Sequence, residues 1–98
     1  MQYGRKWKET RARFLQRYPL CCVCYQLHGV ITPADMVDHI VALDDRSDYQ
    51  QLHDFDNLAP LCNKHHSHKT RDVDQGDIPA DYFKTEIVDK FKRRYEAM

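Results

Sequence analysis

The sequence predicts a small α+β domain in which short strands and a cysteine–histidine cluster lie between an N-terminal and a C-terminal helix. Three observations carry this. Apolar residues recur at helical intervals at both ends of the chain, over residues 3–17 and 81–97. Short β-branched and apolar runs, separated by turn residues, occupy the middle. Cysteines and histidines gather at Cys21-Cys22-Val23-Cys24 and again over Cys62, His65, His66 and His68, at spacings that suit a metal ion.

At 98 residues the chain is one domain, 1–98, near the lower size at which a domain folds alone. Its 42% hydrophobic content permits only a thin core, so an internal staple is expected. The crowding of Cys21, Cys22 and Cys24 is poor geometry for two long-range disulfides. No basic segment followed by an apolar run opens the chain, and no stretch approaches the roughly 20 apolar residues of a membrane span. A cytoplasmic protein with reduced thiols is therefore expected, which favours metal binding. Lys and Arg total 15, as do Asp and Glu, but they are not mixed evenly. Arg5, Lys6, Lys8, Arg11, Arg13 and Arg17 crowd the N-terminal segment, and Lys90, Lys92, Arg93 and Arg94 the C-terminal one. Acids fill the centre from Asp35 to Asp56. Basic flanks around an acidic middle suit a polyanion gripped at its edges beside a bound cation; two solvated basic helix faces are the equal alternative.

Residues 3–17 form the first helix, with Trp7, Phe14, Leu15 and Tyr18 on its apolar side and Pro19 as its stop. Trp7 and Tyr18 are expected to anchor it on the cysteine module. Residues 20–25 make a tight knuckle and His28-Gly29 a turn. The apolar runs 29–31 and 36–41, broken by Thr32-Pro33-Ala34, suggest a strand or short hairpin. The acid-rich connection 42–55 is long enough to be functional or to hold a turn of helix. Leu58 to Leu61 returns as a short edge strand, because Pro60 lacks an N–H. A helix follows over 63–70, then a linker over 71–80 carrying Gly76 and Pro79. The last helix, 81–97, places Tyr82-Phe83, Ile87-Val88, Phe91 and Tyr95 on an apolar face.

Cys21, Cys24, Cys62 and His65 make a C-x-x-C…C-x-x-H set, a specific pattern for structural Zn²⁺ because thiolate and imidazole match a borderline-soft tetrahedral ion. His66 or His68 in place of His65, and Cys22 with Cys24 as the first pair, remain alternatives. Cys22 is otherwise left over, as a small buried residue or an exposed thiol. His28, His53 and His68 are expected to be solvated.

Val37-Asp38-His39-Ile40, followed at their intervals by Asn57-Leu58, Leu61-Cys62, His65-His66 and Lys69-Thr70, resembles the HNH endonuclease family. Pro19-Leu20-Cys21 with Cys24, and Thr32-Pro33-Ala34, resemble its phage-type members. The likeness covers about residues 7–72 and departs from the usual second C-x-x-C knuckle at His65. It implies a ββα-metal (His-Me finger) core at about 19–72, flanked by the two helices, and metal-dependent hydrolysis of DNA phosphodiester bonds. Carried onto this chain, His39 is the general base, Asp38 and His66 hold the catalytic ion, and Asn57 fixes the loop that orients His39. Arg11 and Arg13 are assigned to DNA, and Lys69 either touches phosphate or is a plain exposed helix lysine. Partners implied are DNA and phage DNA-packaging proteins.

The residue types suit these roles. Imidazole titrates at about pH 6.5, which fits a base at neutral pH. Asp38 offers the oxygen that Mg²⁺ or Mn²⁺ prefers, and a nitrogen from His66 tilts the site toward Mn²⁺, with Ni²⁺ or Co²⁺ able to substitute. Nicking by a monomer, low sequence specificity and 5′-phosphate and 3′-hydroxyl ends follow. Neighbouring strand residues face opposite ways, so the backbone is expected to bend or stop pairing at Asp38-His39. His65 and His66 diverge by about 100° on a helix, which lets them serve separate ions. The competing function is a non-catalytic, zinc-stapled DNA-binding module, and a third is a redox or zinc-storage protein.

Overall fold

A computed structural model describes residues 4–43 and 49–98. Helix α1 spans Arg5–Arg17 and buries Thr10 and Phe14, with partly buried Trp7 one turn earlier on the same face. It ends where expected, at Tyr18 ahead of Pro19. Residue 3, expected inside this helix, lies outside the described residues.

The knuckle is tighter and more regular than its sequence suggests. Cys21 caps a second helix, α2 (Cys22–His28), and Gly29 closes it at φ 65°, a left-handed cap that glycine adopts at no steric cost. Residues 29–31 do not form the expected strand or hairpin. Instead Cys21 N–H donates to Thr32 O and Ala34 N–H to Pro19 O, each at 2.8 Å, so this stretch is stitched back onto the chain preceding α2. Its β-branched side chains stay largely at the surface: Val30 and Ile31 are 52% and 72% exposed.

The sheet has two strands. β1 (Met36–His39) runs antiparallel to β2 (Leu58–Leu61), pairing Asp38 with Ala59 and His39 with Leu58. Pro60 is tolerated because, among the described residues, β2 has a strand partner on one side alone. Between the strands come a short helix α3 (Tyr49–His53) and a 3₁₀ turn, Phe55–Asn57. The centre of the acid-rich connection, including Asp44, Asp45 and Asp48, lies outside the described residues.

Helix α4 (Asn63–Lys69) follows β2 directly and widens into one π turn, Thr70–Asp74, closed by Gln75 N–H on Thr70 O. The expected linker is thus wound back on α4. Gly76 is required there: a Cβ would lie 2.5 Å from Asp72 O. The last helix, α5, covers residues 80–96 and contains a π segment, Phe83–Asp89. Phe83 and Val88 are five residues apart and both buried, a spacing that an i→i+5 turn brings to one face and an α turn does not. Tyr82, expected on that face, is exposed. Phe83, Val88 and Phe91 close the core against Phe14, Tyr18, Cys21, Cys22, Ile40, Leu58 and Leu61. Cys22 is fully buried. No helix among the described residues is long and apolar enough to cross a membrane.

The ends of α1 and α5 are clamped together. The Tyr18 hydroxyl and the Arg17 guanidinium both donate to Glu96 Oε1, Arg17 at 2.8 Å. These bonds, Tyr18's first, hold the Glu96 carboxyl below its ordinary value. Burial, and then Glu96, pushes the Tyr18 phenol up to about 12. The Glu96 contribution is therefore present above the unfolded carboxyl value of about 4.3 and lost as pH falls through the lower folded one. That of Tyr18 is present below about 10 and lost as pH rises through the folded value. Glu96→Gln should melt at lower temperature than wild type at neutral pH, with the gap closing in acid; paired thermal melts across pH check this.

Candidate metal and catalytic centre

Two knuckles converge at the start of α4. Cys21 and Cys24 come from α2 and its cap, Cys62 caps α4, and His65 lies one turn into it. Their donor atoms all lie within 4.8 Å of one another. His65 Nδ1 is 3.3 Å from the sulfurs of Cys24 and Cys62 and 3.5 Å from that of Cys21, and Cys24 and Cys62 sulfurs are 4.0 Å apart. Around a tetrahedral zinc, bonds of about 2.3 Å to sulfur and 2.1 Å to nitrogen give edges of about 3.8 Å and 3.6 Å. The donor set fits.

Electrostatics point the same way. Burial pushes the Cys21 thiol up to about 12, so its thiolate needs a cation beside it. Burial also opposes ionisation of Cys62, yet hydrogen bonds from the His65 backbone, Cys21 and Cys24 outweigh it and hold that thiol below its ordinary value. Burial, with His68, His28 and Lys64 nearby, lowers His65, keeping the imidazole neutral as a ligand must be. His28 is exposed, as expected, and His68 is half-buried; both are ring neighbours of His65, at 5.7 Å and 5.6 Å.

The second cluster is built on β1. Pairing continues through His39 and the chain bends at Ile40, so Asp38 and His39 leave opposite faces of the strand. Asp38 turns to α4. Its Oδ1 accepts from His39 N–H at 2.9 Å, and its Oδ2 lies 3.9 Å from His66 Nε2 and 3.1 Å from Lys69 Nζ. Oδ2 is buried without an aligned hydrogen bond, the ammonium being close enough for an ion pair only. A carboxylate oxygen and an imidazole nitrogen 3.9 Å apart lie within two metal–ligand bonds of about 2.1 Å, so one divalent ion can reach both.

His39 turns to the α1–α3 side. It is buried, stacks on Trp7 with ring centroids 5.0 Å apart, and its Nε2 lies 3.0 Å from Leu52 O. A carbonyl only accepts, so Nε2 carries the proton, and in the neutral ring Nδ1 is the basic nitrogen. Trp7 thus packs on His39 rather than on the cysteine module. Asn57 pins the turn after β1: its Oδ1 accepts from Val41 N–H at 2.9 Å and its Nδ2 donates to Val41 O at 3.3 Å.

Lys69, expected at phosphate or in solvent, is 2% exposed and donates to His39 O and Asp74 Oδ1. Arg11 bonds Asp35 O at 2.7 Å, and Arg13 is exposed. His53, expected to be solvated, is bound at Nδ1 to Thr10 Oγ1 at 2.6 Å and packs near Trp7. Burial, then the charges of Lys6, His39 and Arg13, lowers its pKa. Trp7, Leu52 and His53 were missed as site residues. The signal for Trp7 was its position one turn from Thr10 and two from Phe14 on the same helix face; the other two depend on a fold-back that no local pattern encodes.

No family model matches the chain, and no curated protein does. A solved structure does: the crystal structure of a deep-sea thermophilic bacteriophage GVE2 HNH endonuclease with manganese ion. It is 35% identical, superposes with a TM-score of 0.62, and the match covers 74% of this chain and 77% of that one.

Asn57→Ala should remove both bonds to Val41 and cost about 1–3 kcal/mol. Urea denaturation checks it: the midpoint falls while the slope is unchanged.

Proposed function

From the premise that this chain belongs to the HNH endonuclease family, we propose that it hydrolyses phosphodiester bonds of DNA, nicking one strand per encounter with low sequence specificity. The observation that carries this is the convergence of Asp38 and His66 to 3.9 Å. Asp38 and His66 are the ligands of a divalent ion, Mn²⁺ or Mg²⁺, and the manganese of the similar phage enzyme supports Mn²⁺. That ion supplies Lewis-acid stabilisation of charge on the scissile phosphate and the departing oxygen.

The chain's own groups do the rest. His39 Nδ1 takes a proton from water as the oxygen attacks phosphorus, while Leu52 O and the Trp7 ring hold the imidazole in the tautomer and plane this requires. The P–O3′ bond breaks, leaving a 5′-phosphate and, once the leaving oxygen takes a proton, a 3′-hydroxyl. Asn57 fixes the turn behind His39. Arg13, exposed on α1 with its charge felt at His53, contacts the DNA backbone. Cys21, Cys24, Cys62 and His65 hold a structural zinc in this single domain.

On supercoiled plasmid, chelation should abolish nicking and Mn²⁺ should restore it. His39→Ala should lower the rate about 100- to 10,000-fold. Wild-type rates in that variant would remove His39 as base, whereas binding without cleavage in every divalent ion would leave a DNA-binding module. For the second site, elemental analysis should find one zinc per chain. Cys62→Ser should lose that zinc and unfold at markedly lower temperature, because metal binding free energy is folding free energy.

A further inference from the structure

We propose that Lys69, with Asp74 as its counter-ion, is a positioning residue for the hydrolytic centre, tying Asp38 and the end of β1 to the helix that carries His66. The inference rests on Asp38 and His66 being the ligands of the catalytic ion.

Lysine is almost never fully buried unless paired, because an ammonium stripped of water is costly. This one reaches three oxygens: it donates to His39 O at 2.5 Å and Asp74 Oδ1 at 2.8 Å, and forms an ion pair with Asp38 Oδ2 at 3.1 Å. Each belongs to a different part of the site. The carbonyl is that of the residue bearing the base, Asp38 is an ion ligand, and Asp74 lies on the turn continuing α4. Local backbone geometry brings the last into reach. Lys69 and Asp74 are five residues apart, and the helix relaxes from α to π over Thr70–Asp74; π turns of this kind recur at functional sites.

The charge balance has a direction. One ammonium faces two carboxylates, so the cluster keeps an excess negative charge that favours a divalent cation at Asp38. Asp74 shares the ammonium with Asp38: Nζ donates to Asp74 Oδ1, while Asp38 Oδ2 keeps an ion-pair contact and no aligned hydrogen bond. Without Asp74 the ammonium would close on Asp38 and compete with the ion. Without Lys69 the carboxylates would bind the ion more strongly, but β1 would lose its anchor to α4.

The test uses zinc-loaded full chain in three variants, Lys69→Met, Asp74→Asn and His66→Ala. Mn²⁺ affinity is measured without DNA by electron paramagnetic resonance of the free ion, and kcat, KM and salt dependence are measured for nicking. Lys69→Met should bind Mn²⁺ several-fold more tightly yet show kcat lower by about 10- to 100-fold, since small misplacements of reacting groups cost that much. Its KM and salt slope should not move, because a buried ammonium releases no counterions from DNA. Asp74→Asn should bind Mn²⁺ more weakly. A phosphate-contacting lysine would instead raise KM and reduce the salt slope by about one. A purely structural one would lower folded fraction, kcat and Mn²⁺ capacity together. Either result overturns the proposal, as does unchanged Mn²⁺ affinity in Asp74→Asn, which carries the test should Lys69→Met fail to fold. Mn²⁺ binding insensitive to His66→Ala overturns the ion site itself, and this inference with it.

Discussion

Four donor atoms from two distant stretches of chain, Cys21 and Cys24 on one side and Cys62 and His65 on the other, meet within 4.8 Å, and the rest of the molecule is arranged by that meeting. Cys62 stands between β2 and α4, so fixing it fixes where the strand stops and the helix starts. β1 then has one register against β2, and that register sets Asp38 beside α4. The hydrophobic core could not impose this alone. It is thin, and its phenylalanines Phe14, Phe83 and Phe91 lie on the two flanking helices rather than on the strands.

The two sides of β1 are supported by different physics. Toward α4 the support is ionic: a buried ammonium ties a carboxylate, a backbone carbonyl and a second carboxylate together. Toward α1 it is aromatic and backbone-directed, with Trp7 stacked on His39 and Leu52 O holding one ring nitrogen. The alternation of a strand makes this division possible. Asp38 and His39 are neighbours in sequence and leave opposite faces, so their side chains are positioned independently from one short segment.

The membership of the chain in a nuclease family is carried by one solved relative that shares 35% of its residues over most of both chains. The local evidence is of a separate kind. A buried, unaligned carboxylate oxygen opposite an imidazole nitrogen is an arrangement that a cation completes.

Much of this was legible without coordinates. Spacing alone identified Cys21, Cys24, Cys62 and His65, because tetrahedral ligation demands paired residues at short intervals. Helical periodicity found the flanking helices, and Pro60 marked a strand with one partner. The misses have physical causes. Val30 and Ile31 looked like a strand by propensity, yet the backbone donors and acceptors around them were claimed by the knuckle, and tertiary hydrogen bonding overrode propensity. The π turns escaped because they answer to packing: Phe83 and Val88 must share a face. Lys69 looked like a solvent or phosphate lysine because a sequence lists charges without saying which will be buried together. Residue types and local intervals determined the two cysteine–histidine knuckles; the meeting of Lys69 with His39, Asp38 and Asp74, and of Trp7 with His39, was decided only when the helices packed against the sheet, since contacts between residues far apart in the chain leave no periodic trace.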